Sequence, residues 1–230
     1  MQASPEQVPV LNRPLRLTAD MTTGTETARD SARQFLRRHT VRHHEALHRH
    51  RLLADALRER SDRPCYRTLL AAFYGFHDAF EHILRHAVEL PSIGALALPP
   101  LGRAALLAAD LVDLDLDRQA LERLPRPSRL PSIDGVAAYL GATYVLDGST
   151  IGGRVVARMQ AGHGPARPVR FFAGDPAGDA RRWQACTAAI DRELASHALR
   201  NRAAEAAAAT FEALHSWLDR WDRPAEGQTS

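Results

Sequence analysis

Cysteine is almost missing from this 230-residue chain: it has two, Cys65 and Cys186, in unrelated contexts and without a metal-type spacing. That excludes a disulfide framework or a cysteine-built metal site and predicts reduced thiols in a cytosolic protein. No apolar stretch approaches the roughly 18 to 20 residues that span a bilayer, and the N-terminus lacks the basic-then-apolar layout of a signal peptide. The expectation is a cytoplasmic protein with no membrane segment. Nor do four basic residues ever run together: 30 basic and 27 acidic side chains are interspersed, as in Arg58-Glu59-Arg60, and aromatics make up 6%. That argues against nucleic acid as a partner. The balance gives a formal charge of +3, the pI near 9.3 mostly reflects arginine in place of lysine, and the mild excess still suits an anionic small ligand.

What is present reads as globular and all-α, with 45% hydrophobic and 25% charged residues. Residues 1–28 carry Pro5, Pro9, Pro14 and a Thr/Gly cluster without sustained periodicity and read as a flexible arm. Ser31 caps a first helix that runs to about Arg60, and a second begins near Pro64 with Tyr66, Leu69, Leu70, Phe73, Phe76, Phe80 and Leu84 on one apolar face. A shorter leucine-rich helix spans Arg103 to Leu116. After a proline-marked loop, Asp134 caps a helix from Val136 to about Gln160. Gly162-His163-Gly164-Pro165 makes a turn, Val169 to Phe172 docks something apolar, and the last helices cover Ala180–Ser196 and Arg200–Trp221. Alanines 203 to 209 permit close packing. With no repeat and no strand, the architecture is a single-domain bundle of about seven helices over 29–221, followed by a flexible tail, 222–230.

The first helix holds His39, His43, His44, His48 and His50, and neutral imidazole is a common ligand for haem iron and other transition metals. At 100° per residue, Leu36, Thr40, His43, His44 and Leu47 fall within about one third of the circumference. Either His43 or His44 can face the interior, with a slight preference for His43. Pairs four apart, His39/His43 and His44/His48, also have the spacing of an adventitious metal chelate.

The segment Tyr144-Val145-Leu146-Asp147-Gly148-Ser149-Thr150-Ile151-Gly152-Gly153-Arg154 is more telling. A glycine inside a helix costs roughly 1 kcal/mol relative to alanine, so three within six positions need an offsetting gain. Gly148 and Gly152 share a face, where another helix or a flat ligand can come close to the axis. In the second case the Ser149 or Thr150 hydroxyl and loosened carbonyls would hold water.

These segments resemble the haem oxygenase family, most closely the bacterial, bacteriophytochrome-associated branch. Leu36-Arg37-x-x-Thr40-x-x-x-His44-x-x-Leu47 is similar to its proximal-helix motif, and in that register the iron ligand is His44. Tyr144 to Arg154 resembles the distal helix, with Gly148, Gly152 and Gly153 beside the haem. Weaker likeness at Leu69–Phe76, Leu106–Leu114, Arg170–Gly174 and Ala206–Leu218 extends it over roughly residues 30 to 220. Some relatives have an aspartate directly after the first distal glycine; here Ser149 stands there. Arg37 matches a basic position near a haem propionate, with Thr40 beside it, and Arg192 is a further propionate candidate.

The resemblance implies oxidative cleavage of haem, as substrate and cofactor, to biliverdin with release of iron and carbon monoxide. It implies dioxygen and an external electron donor such as a ferredoxin or a flavin reductase as co-reactants. A redox partner protein and a bacteriophytochrome that receives biliverdin are the implied partners. Gly148, Ser149 and Gly152 would steer dioxygen toward a meso carbon and hold a proton-donating water. The alternatives are a haem carrier or sensor that leaves its ligand intact, and another enzyme on the same scaffold. Of these, a thiaminase-like hydrolase needs a positioned cysteine and a di-metal oxidase needs paired Glu-x-x-His motifs, and neither is evident.

Overall fold

The computed structural model describes residues 31–58, 62–161 and 167–222. The expected arm over 1–28, the turn at Gly162-His163-Gly164-Pro165, the end of the first helix at Arg60 and all but Asp222 of the expected tail lie outside the described residues. Among those described, every regular element is helical. Six long helices and four of six residues or fewer replace the seven expected.

The first helix, α1 (Ala32–His48), opens on a reciprocal cap: Ser31 Oγ accepts the Gln34 N–H at 3.2 Å and the Gln34 side chain accepts the Ser31 N–H at 3.1 Å. Two backbone donors that a helix start leaves unpaired are thereby satisfied. Instead of running to Arg60 the helix breaks, because His50 turns extended (ψ 130°) and its Nδ1 accepts the Leu52 N–H, capping α2 (Arg51–Ala56). Asp62 caps α3 (Arg63–Ala87), which buries the whole apolar series from Tyr66 to Leu84 read from the sequence.

A single turn, α4 (Pro91–Gly94), precedes α5 (Arg103–Asp113), and Asp117 caps α6 (Arg118–Arg123) where a plain loop was expected. The glycine-rich helix is α7 (Val136–Ala161); Asp134, expected as its cap, pairs with Arg202. Phe171 and Phe172 are buried in the short α8 (Arg170–Ala173). An Asp175 cap with Pro176 behind it starts α9 (Pro176–Glu193) a turn earlier than expected, since proline at the first helical position gives up no hydrogen bond. The last helix is α10 (His197–Asp222).

The axis of the bundle is α10. Helices α7 and α1 lie along it, α3 and α2 flank it, α9 and α8 pack on α7, and α5 packs on α3. The tightest approach is at Gly141, where a Cβ would stand 2.1 Å from the Ala203 carbonyl oxygen. Ala203 and Ala207 are fully buried, so the alanine stretch lets two 26-residue helices meet almost backbone to backbone. The Trp217 indole N–H donates to the Ala72 carbonyl at 2.7 Å and ties α10 to α3. No helix among the described residues is long and apolar enough to cross a membrane.

Candidate functional site

The glycines of α7 sort by what they touch. Gly141 meets α10, and a Cβ on Gly153 would come within 3.0 Å of the Phe172 carbonyl oxygen, so α8 fills that side. Packing inside the protein accounts for both, and Gly153, grouped at first with the ligand face, belongs to the α8 contact. Gly148 and Gly152 differ. A Cβ on Gly148 would lie 3.7 Å from the Trp183 ring, an ordinary contact, and one on Gly152 would meet nothing within 4 Å. Gly152 is exposed and Gly148 half-buried. Each costs about 1 kcal/mol against alanine, and the fold itself asks for neither.

Between them Ser149 is exposed and its Oγ donates to the Leu146 carbonyl at 2.7 Å, while Thr150 does the same to Asp147. Such back-bonds loosen a helix. The neighbouring Asp147 points inward, where its Oδ1 accepts from Arg182 Nε at 2.7 Å with both side chains buried. Burial pushes the Asp147 carboxyl above the usual carboxylate range, and the Arg182 charge pulls against that.

Opposite elements bring α1 to the same region. Thr40 is buried, donates to the Leu36 carbonyl at 2.8 Å and lies close enough to the Tyr144 phenol of α7 to influence its ionisation. Leu47 and Tyr144 both pack against Val145, Ala207 and Phe211. His44 sits between Thr40 and Leu47 along α1 and sets its ring edge-on to Phe211, with centroids 6.1 Å apart. Both α1 and α7 pack along α10, and Leu47 of α1 and Tyr144 of α7 meet there over Val145, Ala207 and Phe211. Arg37, exposed one turn before Thr40, makes no hydrogen bond or ion pair with any described residue, and its charge reaches both His44 and Tyr144.

The two histidines that periodicity left open differ in their partners. His43 Nε2 lies 3.1 Å from Glu212 Oε1 of α10 and is committed there. His44 remains exposed, its Nε2 3.1 Å from His48 Nε2. Burial of its ring, then the His48 and Arg37 charges, hold the His44 pKa below the usual histidine value, and burial lowers His48 as well. Both imidazoles are therefore neutral at neutral pH, the form that coordinates iron. Arg192 pairs with Glu193 at 2.7 Å on the surface.

Two other places have ligand-like chemistry. His50, His215 and Asp219 bring three donor atoms within 4.8 Å of one another. Yet His50 Nδ1 accepts the Leu52 N–H, so the ring proton is on Nε2 and faces Asp219 at 3.1 Å. That is a hydrogen-bonded clamp with no His50 lone pair to give. A recess of about 350 Å³ beside Asp78, His82 and Arg126 is also structural, since Arg126 is engaged by Asp78 and by the Leu121 and Glu122 carbonyls.

The sequence reading missed Trp183, Arg182, Phe211 and the partner role of His48. The His44/His48 spacing was in view, but only as a chelate; the other three come from α9 and α10 and have no local pattern that marks them.

Residues 30–220 match the family model "Heme oxygenase". A protein named "Heme oxygenase" from Xanthomonas campestris pv. campestris (strain 8004) is 36% identical over 99 residues, which are 41% of this chain and 58% of that protein. The chain thus spans little more than half the length of this curated relative. Among solved structures, heme oxygenase-1 from the cyanobacterium Synechocystis sp. PCC6803 in complex with heme superposes with a TM-score of 0.63 at 14% identity, over 83% of this chain and 92% of that one. Heme oxygenase from Leptospira interrogans gives a TM-score of 0.66 at 16% identity, over 83% and 100%. At such identities the likeness is one of fold.

Proposed function

Since the chain belongs to the haem oxygenase family, we propose that it takes haem as its substrate and opens the macrocycle oxidatively to biliverdin, releasing iron and carbon monoxide. The observation that carries this reading is Gly152, together with Gly148: two helix-interior glycines on one face whose missing side chains the fold does not use. A flat ligand lying on that face does use them. The donor set fits as well. His44 offers an imidazole edge-on to the Phe211 ring, and the exposed Arg37 guanidinium suits a propionate carboxylate.

When bound, the haem iron supplies the dioxygen chemistry, with electrons from an external donor such as a ferredoxin or a flavin reductase. The chain's own contribution is position. His44 would hold the ligand from α1. The bare stretch from Gly148 to Gly152 leaves room on the α7 side that any larger side chain would fill. Ser149 has its proton committed to the Leu146 carbonyl, so toward a water beside the ligand its Oγ would act as acceptor and orient that water rather than acidify it.

In this reading residues 29–221 form the working unit, the protein acts in the cytoplasm with a redox partner protein, and a bacteriophytochrome is a candidate receiver of the product. The test is direct. Haemin is added to the purified protein, the Soret band is recorded, and a reductase system is supplied in air. Loss of the Soret band with growth of biliverdin absorbance supports an oxygenase, an intact band under reductant makes the protein a carrier or sensor, and no band at all refutes both.

A further inference from the structure

On the α9 side, the Gly148 face is flanked by an aromatic residue to which no role has been given. Trp183 is half-buried, lies 3.7 Å from the position a Cβ on Gly148 would take, and sits against the Tyr144 ring, tilted at 38° with centroids 5.7 Å apart. It is not a loose surface ring. The residue before it, Arg182, is locked to Asp147 of α7 in a buried pair, and Cys186 three positions on is fully buried, so the backbone beneath the indole is fixed against α7. One turn along the same α7 face, Gly152 is open. The glycine face is therefore bounded on one side by an indole and clear on the other.

We propose that Trp183 is a ligand-contacting residue: its indole forms the α9 wall of the site and limits how far a planar aromatic macrocycle can slide across Gly148, and so which edge of the ring lies over the open stretch. This rests on the reading of haem as the ligand. An indole suits the role, because it presents a large apolar face at small cost in side-chain freedom, and the Tyr144 ring braces it. The wall is one of specificity, since the position of the macrocycle decides which meso carbon is exposed to attack.

The full-length protein, labelled with 15N-tryptophan, is titrated with zinc(II) protoporphyrin IX, which is diamagnetic and shifts nearby protons by its ring current. Of the indole N–H signals, the one lost in Trp183→Phe should move on binding, while that of Trp217, held by Ala72 in the core, stays. With haemin and reductant, Trp183→Ala should change the proportions of biliverdin isomers separated by chromatography, and Trp183→Phe should restore the native pattern. A stationary Trp183 signal in a sample whose porphyrin absorbance reports binding overturns the proposal and leaves the haem reading standing. So does an isomer pattern indifferent to Trp183→Ala. Failure of the wild-type protein to take up porphyrin overturns both.

Discussion

Replacing Gly152 separates what the fold needs from what the ligand needs. Its backbone is helical and a Cβ there would touch nothing within 4 Å, so Gly152→Ala removes the entropic cost of glycine and introduces no clash. The expected gain is about 0.5–1 kcal/mol for the ligand-free protein, which for a chain of this size raises Tm by about 2–4 °C at the upper end. Gly152→Leu should be similarly tolerated, because leucine is nearly as good a helix former as alanine and the site faces solvent. Its side chain, however, occupies the face on which the macrocycle is proposed to lie. Haemin affinity should fall by at least about tenfold, or ~1.4 kcal/mol, and biliverdin formation should drop with it. Thermal unfolding followed by circular dichroism gives the first quantity and Soret titration the second. A variant set in which Gly152→Ala melts below the parent, or in which Gly152→Leu binds and degrades haemin like the parent, refutes the reasoning.

Because the His44 and His48 Nε2 atoms are 3.1 Å apart, His44→Ala should lose ring opening yet keep a weakened Soret band through His48, and the double variant should lose that band too; spectra of the two titrations decide it. Gly148→Leu should drive a side chain into the Trp183 ring and block biliverdin formation, measured by absorbance. Gly141→Ala should act on the fold instead: its Cβ would meet the Ala203 carbonyl oxygen at 2.1 Å, and the forced separation of α7 from α10 should cost about 1–3 kcal/mol in urea unfolding. Burial, with the Arg103 charge adding to it, pushes the His77 pKa down to about 3. The unfolded chain then binds a proton that the native one refuses, so stability is lost as pH falls from about 6.5 toward 3. The loss from this residue is about 2 kcal/mol at pH 5, and His77→Leu should narrow the gap between urea midpoints at pH 7 and pH 5.

Much of this molecule is legible locally. The apolar series on α3 has helical spacing and is buried throughout, and Ser31 with Gln34 three residues on reads directly as a helix start. The unusual glycine density of α7 was also visible, because propensity alone makes it costly. What those glycines face was not, since Gly141, Gly148, Gly152 and Gly153 are told apart only by atoms from α8, α9 and α10. The same holds for His43 and His44. Both lie on the same third of α1, and the partner that sets His43 apart, Glu212, is 169 residues from it. The break at His50 was hidden because histidine is not a usual N-cap, and its imidazole does here what serine or aspartate normally does.

The arrangement on α7 explains how a helix weakened in its middle keeps its place. Gly141 fixes one stretch to α10 and Gly153 fixes the other to α8, so the span left bare, 148 to 152, is bracketed by backbone contacts on both sides. Within that bracket, Asp147 and Arg182 form a buried pair directly behind Gly148. Such a pair adds little net stability compared with apolar residues of the same size, but removing one partner costs about 3–5 kcal/mol. Its effect is thus to penalise rotations of α7 that would turn Asp147 away from Arg182 and swing Gly148 with it. A loosened helix without that penalty would be free to close over its own glycines; with it, the glycine face stays presented and the Trp183 wall stays at its edge.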